Sequence, residues 1–440
     1  MMTKLIIPFF CFLLLTLHIN AQGTNTNKLD SLFDTFSRND LTMGSITIAQ
    51  QGKIIYKRAI GFATKMDGSD VPANTETEYR IGSISKMFTA VLIFQLIEEK
   101  KLDINDKLFK YFPSVPNAEI ITIGNLLNHR SGMPNFTGDN YDELVYKPQS
   151  HEQLLTRLAN RKPDFQPNAK ADYNNNNYIL LSYIIEKVSN KPYKDVLFKK
   201  ILSRLRLTNT YYASRKAENE ANSFKYIEGK WIQDKEAYLD NFIGAGAIIS
   251  TPSDLAKFGD ALFNYKILNK NSVIKMQSLV DGYGMGMFPF SFAGKNGFGH
   301  NGKLDGFEAS LTHYPYEKLT IAYCSNGGIY QKADLLDAIV HICLNMPYKI
   351  PSFTPTSLTT TELESYNGTY LSSQEDIKIV CTHDGNRLLL ETKGFKLPVE
   401  NIGSNQFMNA KFGLFFTFNQ NHNELTIKEV DQTHYLSRKE

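Results

Sequence analysis

A chain of 440 residues has the length for two to three domains, and 42% apolar with 21% charged residues is the composition of a folded globular protein, which sets aside a disordered or fibrous chain. Its formal net charge of +3 is small for that length and no basic cluster stands out, so nucleic acid is not an expected partner. Of four cysteines Cys11 falls in the N-terminal apolar run, and the other three, Cys324, Cys343 and Cys381, form an odd set in separate segments, so the expectation is three buried apolar side chains and no disulfide framework.

The chain opens "MMTKLIIPFFCFLLLTLHINAQG", with Lys4, an apolar run from Leu5 to Leu17, and Ala21 before a polar stretch. That layout reads as a secretory signal over residues 1–21, cleaved after Ala21. The run of thirteen residues is shorter than the roughly 20 that span a bilayer, so a secreted or periplasmic mature chain with no stable membrane span is expected.

Next, "LDSLFDTFSR" has the spacing of a short amphipathic helix, and "SITIAQQGKIIYKRAIGFA" that of two strands joined at Gln51-Gly52. "YRIGSISKMFTAVLIFQLIEEK" then leads from a glycine and a serine into a long apolar helix. "YILLSYIIEKV", from Tyr178, reads as a further helix. "STPSDLAKFGDALF" carries its own start signal, Thr251 as N-cap and Pro252 at the first helical position. "GFGHNGKLDGFEASLTHYP" and "KLTIAYCSN" return to short β-like runs. Helices in the middle and strands from both ends predict an α+β domain over residues 22–345, with an antiparallel sheet that combines early and late strands.

From residue 346, "MPYKIPSFTPTSLTT" spaces three prolines over nine residues and reads as a stiff connector over 346–358. Beyond it, residues 359–440 alternate apolar and polar positions between turn signals, at Asp384-Gly385 and within an Asn-rich centre. This tail predicts a small antiparallel β-domain, barrel or sandwich.

The candidate chemistry starts at Ser83 and Lys86, three apart and so on one face of a helix. A lysine desolvated in an apolar helix has its pKa lowered and can take a proton from a neighbouring hydroxyl. Gly82 permits a close approach, and N–H groups at a helix start can stabilise a developing oxyanion. The spacing alone is weak: Ser272 and Lys275 repeat it, where Asn271 or Ser272 as a cap and a solvated lysine suffice. Two further elements follow in order, Tyr173-Asn174-Asn175 ahead of a helix and His300-Asn301-Gly302 on a strand, where Gly302 would give a substrate backbone room to approach. His383-Asp384-Gly385 copies the last pattern at a hairpin tip.

Together these segments resemble the active-site motifs of the penicillin-recognising serine hydrolases: serine β-lactamases of class C, D-alanyl-D-alanine carboxypeptidases, and their esterase and D-aminopeptidase relatives. The resemblance extends to "LLNHRSGMP" at 126–134, "GAGAIISTPSDLAKF" and "LTIAYCSNG". It implies a β-lactamase/transpeptidase-like α+β domain followed by a small all-β, barrel-like extension. It also implies Ser83 as nucleophile, Lys86 as its general base, Tyr173 sharing proton transfer, and Asn175 placing a substrate amide or holding Lys86. His300 would face them and help the proton network or a substrate carboxylate, with turnover falling below its pKa. The backbone N–H groups of Ser83 and Lys303 would form the oxyanion hole, next to Gly302. His129, within "LLNHRSGMP", reads as a structural histidine. No metal or organic cofactor is implied; the partner is a small-molecule or peptide substrate, cell-wall peptides among the candidates.

His300, in place of the more usual lysine, is expected to be only partly charged near neutral pH, which removes a fixed cation and makes efficient β-lactamase action less expected. "RLRLTNT" departs from the family's usual turn at that point. A lipase-like hydrolase would need G-x-S-x-G, and no Gly-x-Ser occurs in the chain. A zinc hydrolase would need clustered histidines, and the nine here are scattered. Peptidase action on D-amino-acid peptides, esterase action on small acyl esters, and a non-catalytic envelope binding protein are the readings that stay open, the last disfavoured by intact Ser83, Lys86 and Tyr173.

Overall fold

The computed structural model describes residues 24–65, 69–135, 144–212 and 217–439. The expected export signal, 1–21, lies outside them. The main sheet is antiparallel and six-stranded. Its strands are β1 (Thr42–Gln50), β2 (Lys53–Ile60), β3 (Phe288–Phe292), β4 (Lys295–Leu304), β5 (Phe307–Tyr314) and β6 (Leu319–Gly328). They lie in the order β3-β4-β5-β6-β1-β2, so the first hairpin pairs with the last strand, Ile46 opposite Tyr323 and Ile48 opposite Ile321. This is the union of early and late strands that the alternation implied.

Both faces of β1 are covered, which explains why eight consecutive residues, Thr42 to Ala49, are buried. One face packs on α1 (Thr26–Arg38) and α5 (Lys332–Cys343), where Leu29, Leu32 and Phe33 meet Ile46, Ile48, Leu335 and Ile339. The other meets α4 (Pro252–Phe263), capped as expected by Thr251, whose Oγ1 accepts from the Asp254 N–H at 3.2 Å. A side chain at Gly259 of α4 would press on Leu311 and Thr320 of the sheet at 3.1 Å, so a glycine there sets the spacing.

Beyond α4 lie α2 (Ser85–Glu98) and α3 (Asn175–Ser189). Every residue of α2 from Ser85 to Leu96 is buried, as suits a helix that is apolar on all sides. Phe88 stacks on Phe258 of α4 with ring centroids 3.8 Å apart. The helix anticipated from Tyr178 begins three residues earlier at Asn175, because the Asn174 side chain caps it by accepting from the Asn176 N–H. The second serine–lysine pair belongs to a helix over Lys270–Gln277 whose cap is Asn269, neither Asn271 nor Ser272; Asn269 Oδ1 takes the Ser272 N–H at 2.9 Å.

The tail is a closed barrel of eight antiparallel strands, β7 (Gly368–Ser372) through β14 (Thr433–Arg438), closed by pairing of β7 with β14. Closure leaves no sheet edge to protect. Tyr370, Leu390, Phe407, Phe418 and Leu425 fill the interior. Along the Pro-rich segment Phe353 is buried, edge to face with Phe36, Tyr330 and Phe415, so this stretch fastens the barrel to the α+β domain as well as spacing it. Cys324, Cys343 and Cys381 are buried and free. Among the described residues no helix is long and apolar enough to cross a membrane.

Candidate active site

Ser83 sits in a single 3-10 turn, Gly82–Ile84, immediately before α2. Gly82 has φ +50°, and a Cβ there would lie 2.9 Å from the Lys303 nitrogen, so the turn requires glycine on both counts. From the other side a Cβ on Gly302 would lie 1.9 Å from the Ile81 carbonyl oxygen and 3.4 Å from the Ser83 nitrogen. The space left by Gly302 is therefore filled by the protein's own backbone, not kept for a substrate as anticipated. What the two glycines achieve is a close approach of β4 to the serine turn, which brings the Ser83 and Lys303 N–H groups into one neighbourhood.

One turn into α2, Lys86 is fully buried. Its Nζ lies 3.0 Å from Ser83 Oγ, 2.7 Å from Asn175 Oδ1 and 2.9 Å from the Ala245 carbonyl oxygen. Burial lowers its pKa well below the usual lysine range, and no carboxylate opposes that shift. Asn175 Oδ1 and the Ala245 carbonyl can only accept. A neutral amine has two N–H groups for those two acceptors and one lone pair, which then faces the one neighbour able to donate, the Ser83 hydroxyl.

Tyr173 lies beside this pair, its ring centroid 4.8 Å from Lys86 Nζ. Burial pushes its phenol far above the ordinary range, partly offset by a hydrogen bond to Ser83, so it stays protonated. The asparagine run that follows laces the Tyr173 loop to the segment 129–135. Asn174 Nδ2 donates to the Met133 carbonyl, Asn176 Nδ2 to that of Pro134, and Ser131 Oγ to Asn177 Oδ1. His129 is buried as a structural residue, with Nδ1 accepting from the Asn174 N–H at 3.1 Å and its ring 4.6 Å from that of Tyr173. Burial, and then the charge of Lys86, hold its pKa well below the usual imidazole value.

His300 lies on β4 against Tyr173 and Phe288. Burial first, and then the Lys86 charge, push its pKa down to about 3, against the partial charge expected near neutrality. It is 2.5 Å from Nδ1 to the Asn301 carbonyl, which places the proton on Nδ1 and the lone pair on Nε2, an atom with no partner among the described residues. His300 thus offers a hydrogen-bond acceptor and not a cation for a carboxylate, and its protonation falls far below neutral pH.

Ser83, Tyr173, Asn175, His300, Gly302 and Lys303 all line one cleft of about 710 Å³, with Phe242, Ala245 and Phe288 as apolar wall and Tyr146 and Asp305 at one side. The structure therefore brings every candidate into this cleft or, for Lys86, to its floor. The decoy His383 motif sits at an exposed barrel hairpin where Asp384 accepts from the Arg387 N–H. Sequence reasoning missed the Ala245 carbonyl, though it quoted the segment that carries it. Among the described residues no group of three or more His, Cys, Asp or Glu could hold a metal ion.

The family model described as Beta-lactamase matches residues 29–342. A penicillin-binding protein of Bacillus subtilis (strain 168) is 28% identical over 400 residues, 83% of this chain and 87% of that one. A teichoic acid D-alanine hydrolase of Staphylococcus aureus (strain MRSA252) is 28% identical over 253 residues, 57% of this chain and 60% of its own length. Among solved structures, the octameric penicillin-binding protein homologue from Pyrococcus abyssi superposes with TM-score 0.68 at 23% identity, covering 94% of this chain and all (100%) of that one. D-amino acid amidase from Ochrobactrum anthropi SV3 does so with TM-score 0.63 at 22% identity, over 73% and 97%. At such identities the structural likenesses speak for the fold.

Proposed function

The chain belongs to the beta-lactamase family and is a serine hydrolase; from that premise we propose that it cleaves amide or ester bonds of D-amino-acid compounds through an acyl intermediate on Ser83. The observation that carries this reading is the surroundings of Lys86: a desolvated amine with two pure acceptors and one hydroxyl around it. In the forward half-reaction the Lys86 lone pair takes the Ser83 proton while Oγ bonds to the acyl carbon. The oxyanion formed there meets the N–H groups of Ser83 and Lys303. The leaving nitrogen or oxygen receives its proton from Lys86 or through the Tyr173 phenol, whose raised pKa keeps a proton to give. Water then repeats the sequence on the acyl-serine, restoring Oγ–H.

The substrate class is argued from the cleft. Its volume suits a peptide terminus, and Lys225, Lys303 and Lys332 on its walls, each paired with a carboxylate, favour substrates with polar groups over purely apolar esters. The relatives named above include a hydrolase of D-alanine on teichoic acid and an amidase of D-amino acids. The opening 21 residues support export to the envelope, where such substrates lie. The esterase reading uses the same machinery and differs in the leaving group.

The test is intact-protein mass spectrometry after exposure to a fluorophosphonate and, separately, to a penicillin, beside Ser83→Ala. A single adduct from each reagent that disappears in Ser83→Ala supports both nucleophile and cleft. An adduct from the fluorophosphonate alone moves the substrate toward esters, and none from either overturns the hydrolase mechanism through Ser83.

A further inference from the structure

The barrel touches the cleft's lining through one side chain, Lys303. The turn between β13 (Glu424–Lys428) and β14 reaches the α+β domain, where Gln331, the residue before α5, clasps it. Gln331 Nε2 donates to the carbonyls of Glu429 and Gln432 at 2.8 and 2.9 Å and to Thr433 Oγ1 at 2.9 Å. Lys428 pairs with Asp334 of α5 beside it. Within the clasped turn, Asp431 forms an ion pair with Lys303, whose N–H belongs to the expected oxyanion hole.

The charges around this contact are unequal. Three lysines, Lys225, Lys303 and Lys332, line the cleft, against a single carboxylate, Asp305, among the described residues. Lys225 is matched by Asp234 at 2.8 Å and Lys332 by Glu308 at 3.6 Å, both partners within the α+β domain. Lys303 alone takes its countercharge from the barrel. Lys332 also experiences both members of that pair, Lys303 opposing its charge and Asp431 favouring it, so the three groups form one electrostatic unit.

We propose that Asp431 is a specificity-determining residue: held by the Gln331 clasp, it neutralises Lys303 at the cleft rim and so disfavours substrates that bring an anionic group to that place. The inference rests on the reaction proposed above. Asp431 touches no reacting atom; it acts through Lys303. Because the clasp binds main-chain carbonyls, Asp431→Asn removes the charge and leaves the turn in place. Both side chains of the pair are 51% exposed, so solvent screens the interaction and the expected effect is moderate.

The experiment measures the rate of Ser83 labelling by two fluorophosphonates that differ only in a terminal carboxylate or carboxamide, on the full chain and on Asp431→Asn and Asp431→Lys. At low ionic strength Asp431→Asn is expected to raise the carboxylate-to-carboxamide rate ratio about two- to fivefold and Asp431→Lys to raise it further, with both gains shrinking at 0.5 M salt as screening predicts. An unchanged ratio with Ser83 labelled normally overturns the role of Asp431 and leaves the reaction standing. Absence of labelling by either reagent in the unaltered protein overturns the reaction, and this inference with it.

Discussion

Two buried basic side chains flank the serine turn, and they are handled in opposite ways. Arg80, three residues before Ser83, lies on the short strand Tyr79–Arg80, its guanidinium over the ring of Phe307 at the start of β5. Its guanidinium donates to Glu220 Oε1 at 3.0 Å, to Glu236 Oε2 at 2.8 Å and to the Ala237 carbonyl at 2.9 Å. Lys86, three residues after Ser83, is also buried, at 0% exposure against 8% for Arg80, and its hydrogen-bond neighbours are neutral. A cation among carboxylates is fixed as a cation and serves the architecture. An amine without one is driven toward its neutral form, the form the proposed base requires. The difference lies in the partners supplied from distant parts of the chain, and it separates a structural site from a chemical one within a single turn of backbone.

The sharpest way to break this comparison is Lys86→Met. It should lower kcat/KM about 10³-fold, within the range of general-base contributions, while Tm moves little, since removal of a desolvated amine offsets the two acceptors left without a donor. A large fall in Tm would mean that Lys86 is structural like Arg80. The reciprocal change, Arg80→Met, leaves the Glu220 carboxylate buried and unpaired at 1% exposure. It should cost about 3–5 kcal/mol in denaturant titrations, with Ser83 still labelled in the folded fraction. Gly302→Ala forces a Cβ to 1.9 Å from the Ile81 carbonyl and parts β4 from the serine turn. Its kcat should drop about tenfold to a hundredfold, less than outright loss of an oxyanion donor.

The smallest effect concerns pH and stability. His300 and His313 are held down to about 3 and about 4, burial being the main cause in each. A folded-state pKa below the unfolded value of 6.5 means that the unfolded chain binds more protons between the two. The contribution of each histidine is therefore intact above pH 6.5 and is lost as pH falls toward its folded pKa. Stability should decline from pH 6.5 to 4, and less steeply in His300→Gln; identical slopes would show that His300 is not enclosed as described.

Much of this was legible in sequence, for a physical reason: it was local. The alternation that makes β1 and β2, the Thr251-Pro252 start of α4, and the spacing of Ser83 and Lys86 are each written within a few residues. The sheet that joins β1 to β6 followed from strands at both ends of one region. What sequence did not disclose is non-local. The Ala245 carbonyl reaches Lys86 across 159 positions, and Asp431 reaches Lys303 across 128. The role of the Asn174–Asn177 run was hidden because its partners, from His129 to Asn135, lie 40 residues and more away. The purpose of Gly302 was misread for the same cause: the atom that needs its space belongs to Ile81, in another element. The His300 charge was misjudged because burial is a property of the fold and not of a motif.

We propose that Lys86 is a neutral base when the enzyme works, and the most direct measurement is the pH dependence of the rate at which a neutral fluorophosphonate labels Ser83. The environment of Lys86 predicts a rate that rises with loss of a single proton and levels off well below pH 10.5. A rate that goes on climbing through pH 10.5, as an ordinary solvated lysine would require, would contradict it.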